Sequence, residues 1–265
     1  MKQLKLMVLT LTLLMGTMFT SCMDSGESGP QQWAGVVKVN DRMGYVTFTD
    51  AAGTELVPTN TIPVTLNARM AYIYCQVDEG QDLSTNPKSI KITLLADPTG
   101  IDATAITTPK VGESGDVTTN APVGSLSFAS GYSTVAPFQF SENTIVLPVL
   151  YRVKNVTTTE DIKNELAKHT FTLVCYTDSC YTDDIKSGDT ILKLYLRYKV
   201  EDEPAAIAER ATRTSSFKAY EISQILREYT LKSGQAKPAK ITIVAQQNEY
   251  NNKLEDTSTT EKVYE

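Results

Sequence analysis

Gly44-Tyr45-Val46-Thr47-Phe48-Thr49-Asp50-Ala51-Ala52-Gly53-Thr54-Glu55-Leu56-Val57 carries a strand, a hairpin loop and a returning strand in one run. Tyr45, Thr47 and Thr49 alternate with Val46 and Phe48, the period of a half-buried strand. Asp50-Ala51-Ala52-Gly53 reads as a hairpin loop closed by a residue that tolerates positive φ. Residues 55–57 form the returning strand, and Pro58 limits it because proline has no N–H for the ladder. Further runs of strand type lie at 34–40, 69–77 and 88–95, and no long helical period interrupts them. Five short strands across residues 33–97 predict a small antiparallel barrel, best matched by an OB-type Greek key.

Downstream, residues 98–122 are rich in Thr, Gly, Pro and Asp and poor in large apolar side chains, which predicts an extended linker. Strand patterns return at 126–128, 134–140, 144–153, 170–177, 190–200, 216–221 and 240–246. Seven such runs predict an Ig-like antiparallel β-sandwich over residues 123–248. Pro148 marks an edge or a bulge in the third run. Two short helices are expected. Residues 159–168 begin with a capping threonine and acids and place Ile162 and Leu166 four apart. Residues 222–229 put Ile222, Ile225, Leu226 and Tyr229 on one face. Residues 249–265 read as a polar tail that frays.

The N-terminus carries Lys2 and Lys5, then a mostly apolar run over 6–19. That run is shorter than the ~20 residues of a membrane span and has the form of a secretory signal peptide. It ends in Phe19-Thr20-Ser21-Cys22, which resembles a bacterial lipobox. The resemblance implies removal of residues 1–21 and lipidation of Cys22 as the new first residue. Residues 22–32 are then a polar tether. Bacterial lipoproteins carry two or three acyl chains, and two or more chains anchor stably. The expected location is the outer membrane, on its periplasmic face or at the cell surface, with the covalent lipid as the link to the membrane.

Loss of the leader removes two lysines and no acid, which moves the formal charge from −6 to −8. Such a balance argues against a nucleic-acid partner, which needs a concentrated positive surface, and against attraction to anionic head groups. With 41% hydrophobic residues the chain can build real cores.

Candidate chemistry is sparse. His169 is the only histidine, which excludes multi-histidine metal sites, argues against a histidine-dependent hydrolase, and reads as structural or solvent-facing. Cys75 shares a strand face with Ala71, Ile73 and Val77 and reads as a buried thiol. Cys175 and Cys180 are close enough in sequence for a local bridge, and a bridge and free thiols both remain open. Asp178, Asp183, Asp184 and Asp189 crowd one loop and are a calcium candidate. Their spacing departs from the calcium-loop pattern, so a solvated hairpin loop is the other reading. Glu160 and Asp161 are neighbours at a helix start, where acids favour the helix dipole. Among the barrel aromatics, Tyr45, Tyr72 and Tyr74 are candidates for stacking on a sugar or peptide, against the alternative that they fill the core. No cofactor is expected.

The order of parts carries a resemblance. The lipobox and tether lead into Trp33-Ala34-Gly35-Val36-Val37, then residues 44–50, then Gly53-Thr54-Glu55-Leu56-Val57-Pro58. Phe171-Thr172-Leu173-Val174-Cys175-Tyr176, Leu194-Tyr195-Leu196-Arg197-Tyr198 and Tyr220-Glu221-Ile222-Ser223 follow. This resembles the NigD-like lipoproteins of gut and oral anaerobes. The resemblance implies an N-terminal OB-type domain, a C-terminal β-sandwich and no enzymatic activity or catalytic residues. The expected function is a lipid-anchored, non-enzymatic binding or accessory module with a protein or glycan partner in the envelope. A bacteriocin-immunity role, suggested by the origin of the family's name, is the alternative, and a carboxylate-dependent hydrolase is a second.

Overall fold

The computed structural model describes residues 31–265 apart from 43, 61–65, 82, 84–86, 110–117, 131–132, 180 and 182. The chain divides into two compact units. The first runs to Ala103 and takes in Ala129–Val135, and the second comprises Thr104–Phe128 and Ala136–Glu265.

In the first unit, β1 (Gln32–Arg42), β2 (Tyr45–Thr49), β3 (Glu55–Pro58), β4 (Met70–Val77) and β5 (Ser89–Leu94) pair in the order β1-β2-β3-β5-β4. β4 returns to β1, with Trp33 opposite Cys75 and Val37 opposite Ala71, so the barrel closes. This is the OB-type Greek key. One pair, β3 with β5, is parallel. Alternation directs Trp33, Val37, Phe48, Leu56, Ile73 and Ile92 into the core. The hairpin loop closes as its residues require. The Asp50 carboxylate accepts from the Thr54 amide at 2.8 Å, and Gly53 takes φ +88°. β6 (Thr99–Ile101) continues along β4 past the end of β5.

The remaining strands are β7 (Ala103–Ala105), the hairpin pair β8 (Phe128–Ser130) and β9 (Ser133–Val135), β10 (Phe138–Ser141), β11 (Thr144–Val153), β12 (His169–Val174), β13 (Ile191–Val200), β14 (Thr212–Glu221), β15 (Lys240–Gln247) and β16 (Thr260–Tyr264). The helices among the described residues are α1 (Thr159–Ala167), α2 (Pro204–Ala208) and α3 (Ser223–Ser233). In the second unit, β10-β11-β14-β7 forms one sheet and β12-β13-β15-β16 another. Leu147 and Val149 of the first, Leu173, Leu192 and Leu194 of the second, and Ile225 and Tyr229 of α3 share one buried core, which makes the unit a sandwich.

Several expectations change. The sandwich is not wholly antiparallel: β13 and β15 run parallel, because β14 and α3 intervene and give the chain room for a crossover. The stretch read as a linker is woven into strands, with β6 and β7 in sheets, Thr107 bridged to Val174, and Asn120 exchanging two hydrogen bonds with the Val200 backbone at 2.8 and 2.9 Å. The tail does not fray. Its last residues form β16 against β15, and the Tyr264 hydroxyl donates to Gln247 and accepts from the Leu126 amide. Pro148 does mark a local edge. The Leu150 amide donates to Ser125, and Pro148, two residues earlier, turns its ring nitrogen to the same side, beyond the reach of β10. In α1 the cap is Thr158, and the face facing inward is reversed: Ile162 and Leu166 are both 42% exposed, while Glu165 is buried.

Candidate functional site

The polar residues of the second unit converge on Glu165. The helix α1 delivers this carboxylate inward, and α2 leads to Arg210, which is fully enclosed. Arg210 Nε donates to Glu165 Oε1 at 2.7 Å and Nη2 to Oε2 at 3.3 Å, a two-pronged guanidinium–carboxylate pair. Arg210 Nη2 also reaches Asp202 at 3.2 Å, and Lys154 and Lys168 close on Asp202 at 3.1 and 3.3 Å. The Lys154 amide donates to Glu165 Oε1 at 2.9 Å. His169, the first residue of β12, lies between two partners. Its Nδ1 is 2.6 Å from the Tyr198 hydroxyl and its Nε2 is 3.3 Å from Glu165 Oε1. A carboxylate can only accept, so Nε2 carries the proton and Nδ1 accepts from Tyr198. Aromatic rings wall the cluster. Phe171 stacks on Tyr198 with centroids 4.5 Å apart, and Tyr151 meets Phe171 edge-on at 5.0 Å.

The electrostatics follow from burial and pairing. Burial by itself would raise Glu165, but the Lys154 amide, Arg210 and His169 outweigh it and hold the carboxyl below its ordinary range. Burial pushes the His169 imidazole down, against the pull of Glu165. Asp202 is held far below the carboxylate range by Lys154 and Arg210. Burial pushes the Tyr198 hydroxyl up. A Tyr–His–Glu chain resembles a proton relay, but here the hydroxyl is made less acidic, and the His169 and Glu165 side chains are only 1% and 5% exposed. Tyr198 is itself only 1% exposed, and the enclosed cluster acts as a clamp that fastens α1 and the chain after α2 onto β12 and β13. His169 is therefore structural as expected, but buried rather than solvent-facing. Glu165, Asp202, Arg210 and Tyr198 were not singled out by the sequence reading. The four-residue spacing of Glu165 and His169 is the one local signal that could have revealed the cluster.

The three candidate tyrosines do not form one platform. Tyr72 and Tyr74 lie on the same outer face of β4, opposite Val36 and Ala34 of β1, and the Tyr74 hydroxyl donates to Gln32 at 2.5 Å. Tyr45 is 57% exposed but stands opposite Arg42. The six residue-to-residue steps along β1 from Val36 to Arg42 separate it from Tyr72 by about 20 Å of strand. Trp33 and Phe48 fill the core.

The acidic loop disperses its carboxylates. Asp184 pairs with Lys232 at 3.1 Å, and Asp189 accepts from the Lys186 amide at 2.7 Å to close its own turn. Asp183 interacts with the Tyr195 hydroxyl. Among the described residues no three His, Cys, Asp or Glu side chains converge as a metal site, so the expected calcium candidates do not assemble one. Cys75 and Cys175 are buried free thiols, and burial pushes both up to about 12. Cys180, the proposed partner of Cys175, lies outside the described residues, as does Cys22. No helix among the described residues is long and apolar enough to cross a membrane.

These features define an all-β protein with an OB-type barrel, a sandwich and a closed ionic clamp. A crystal structure of a provisionally designated lipoprotein from Bacteroides fragilis NCTC 9343 is 93% identical, covers 88% of this chain and 96% of that one, and superposes with a TM-score of 0.79. The chain belongs to the family of that Bacteroides protein. A Bacteroides vulgatus ATCC 8482 protein of unknown function, assigned to DUF1344, shares the fold at 10% identity, with a TM-score of 0.53 over 88% of this chain and 90% of its own. No protein-family model matches the sequence, and no curated protein does.

Proposed function

We propose that the protein is a lipid-anchored, non-enzymatic accessory protein of the cell envelope, of the NigD-like type, held at the outer membrane through Cys22. The observation that carries this reading is Phe19-Thr20-Ser21-Cys22 at the end of a basic and then apolar leader. The 93% identical Bacteroides protein bears the same lipoprotein designation, which supports it. Two or more acyl chains on Cys22 give a stable anchor, and the polar tether ends where β1 begins at Gln32. On the barrel, Tyr72 and Tyr74 with Gln32 and Gln76 present rings and amides on one outer face, a surface suited to a glycan or an extended peptide. Fractionation of cell envelopes tests the anchor. The wild-type protein is expected in the outer-membrane fraction and Cys22→Ala outside it. Equal partitioning of the two overturns the reading.

A further inference from the structure

Arg152 of β11 and Arg213 of β14 stand in direct register. Like charges at opposed positions of an antiparallel pair repel, and Arg152 is only 8% exposed, so water screens it poorly. Arg210, the other buried arginine among the described residues, holds two carboxylates. Among the described residues, Arg152 and Arg213 have no carboxylate within ion-pair distance. Their hydrogen bonds run to main-chain carbonyls instead. Arg152 Nη1 donates to Ala211 at 3.1 Å and Nη2 to Glu249 at 2.6 Å. Arg213 Nη2 donates to the same Glu249 carbonyl at 2.7 Å. The Glu249 carboxylate itself accepts from Gln247 Nε2 at 2.9 Å.

Two positive charges therefore share one neutral carbonyl in a chain whose formal charge is −6. Arg213 is exposed, and no other bond ties down its remaining N–H groups among the described residues. A guanidinium with an open edge matches an oxyanion with two oxygens in a plane, and a second fixed guanidinium beside it raises the local positive potential. We propose that Arg152 and Arg213 form a binding site for an oxyanion, a carboxylate or phosphate group, with Arg213 as the open fork and Arg152 as the fixed second charge. The anion supplies the negative charge that the fold withholds.

The test uses the purified full chain in detergent, titrated with inorganic phosphate and, separately, with glucuronate, against sodium chloride at matched ionic strength. Thermal melts and calorimetry read the outcome. A saturable rise in Tm with phosphate or glucuronate, absent with chloride, is expected, and whichever arm shows it assigns the ligand as phosphate or carboxylate. Arg213→Gln, an exposed substitution, should weaken that binding at least tenfold with an unchanged circular dichroism spectrum. Arg213→Lys should retain part of it, as a point charge without a fork. Without ligand, Arg213→Gln should melt at or above the wild type, since it relieves the repulsion. No saturable rise in either arm, or binding unchanged in Arg213→Gln, overturns the proposal.

Discussion

Arg210 Nε meets Glu165 Oε1 at 2.7 Å, with the arginine side chain 0% exposed and the glutamate 5%. A charge pair so enclosed is worth most as a constraint on geometry. Removing one partner strands the other in a medium that cannot solvate it, whereas replacing both with apolar groups of similar size can be nearly neutral. Arg210→Ala should therefore destabilise the protein by about 3–5 kcal/mol. The double variant Glu165→Leu with Arg210→Met should recover only part of that, because the Lys154 amide and His169 Nε2 lose their shared acceptor. Urea unfolding midpoints check both, and equal losses in the single and double variants would remove the clamp.

The same cluster predicts a pH dependence. The folded-state pKa of His169 lies below its unfolded value. The neutral ring is favoured by folding, so its contribution is present above the unfolded value of ~6.5 and lost as pH falls through the folded one. Glu165 is also depressed, and its contribution is present above ~4.3 and lost at lower pH. Stability should thus fall in two stages on acidification. Because His169 is the only histidine, His169→Gln should flatten the first stage and leave the second. Unfolding midpoints measured across that range decide it.

Cys75 and Cys175 should be inert in the folded protein. Burial, aided by Asp78 near the first and by Glu228 and Asp184 near the second, pushes both thiols up to about 12, and the thiolate is the reactive form. Maleimide at mildly alkaline pH should leave both peptides unmodified until denaturant is added. Mass spectrometry of the peptides reads this, and modification of either in the native protein contradicts it.

Gly35 faces the Trp33 ring so closely that an added Cβ would lie 2.6 Å from Cζ2. Gly35→Ala must displace the ring or the strand, at a cost of about 1–3 kcal/mol. Trp33 is the only tryptophan, so its emission should shift to the red as the ring leaves the core. Unchanged emission and melting would mean that the barrel accommodates the methyl.

The barrel was legible because residues 44–57 carry strict alternation and a loop that ends in a glycine at positive φ, both local signals. The closing pair β1–β4 and the parallel β3–β5 pair join distant segments and leave no mark in either run alone. In α1 the apolar spacing of Ile162 and Leu166 suggested the wrong inner face, because a charge paired by Arg210 from 45 residues away outweighed it. Arg210 itself sits in an unremarkable polar stretch, and only the tertiary fold makes it buried. The polar composition of the tail suggested fraying, yet its last residues pair along one edge of β15 and the Tyr264 hydroxyl bonds inward. Tyr72 and Tyr74 fell together because they share a strand, while Tyr45 needed the register of β1 to show how far away it is.

Metabolic labelling with palmitate in the native host decides whether Cys22 carries the lipid. The wild-type chain should carry label on an N-terminal peptide that begins at Cys22, and Cys22→Ala should carry none. A wild-type protein without label, or label that persists in Cys22→Ala, contradicts it.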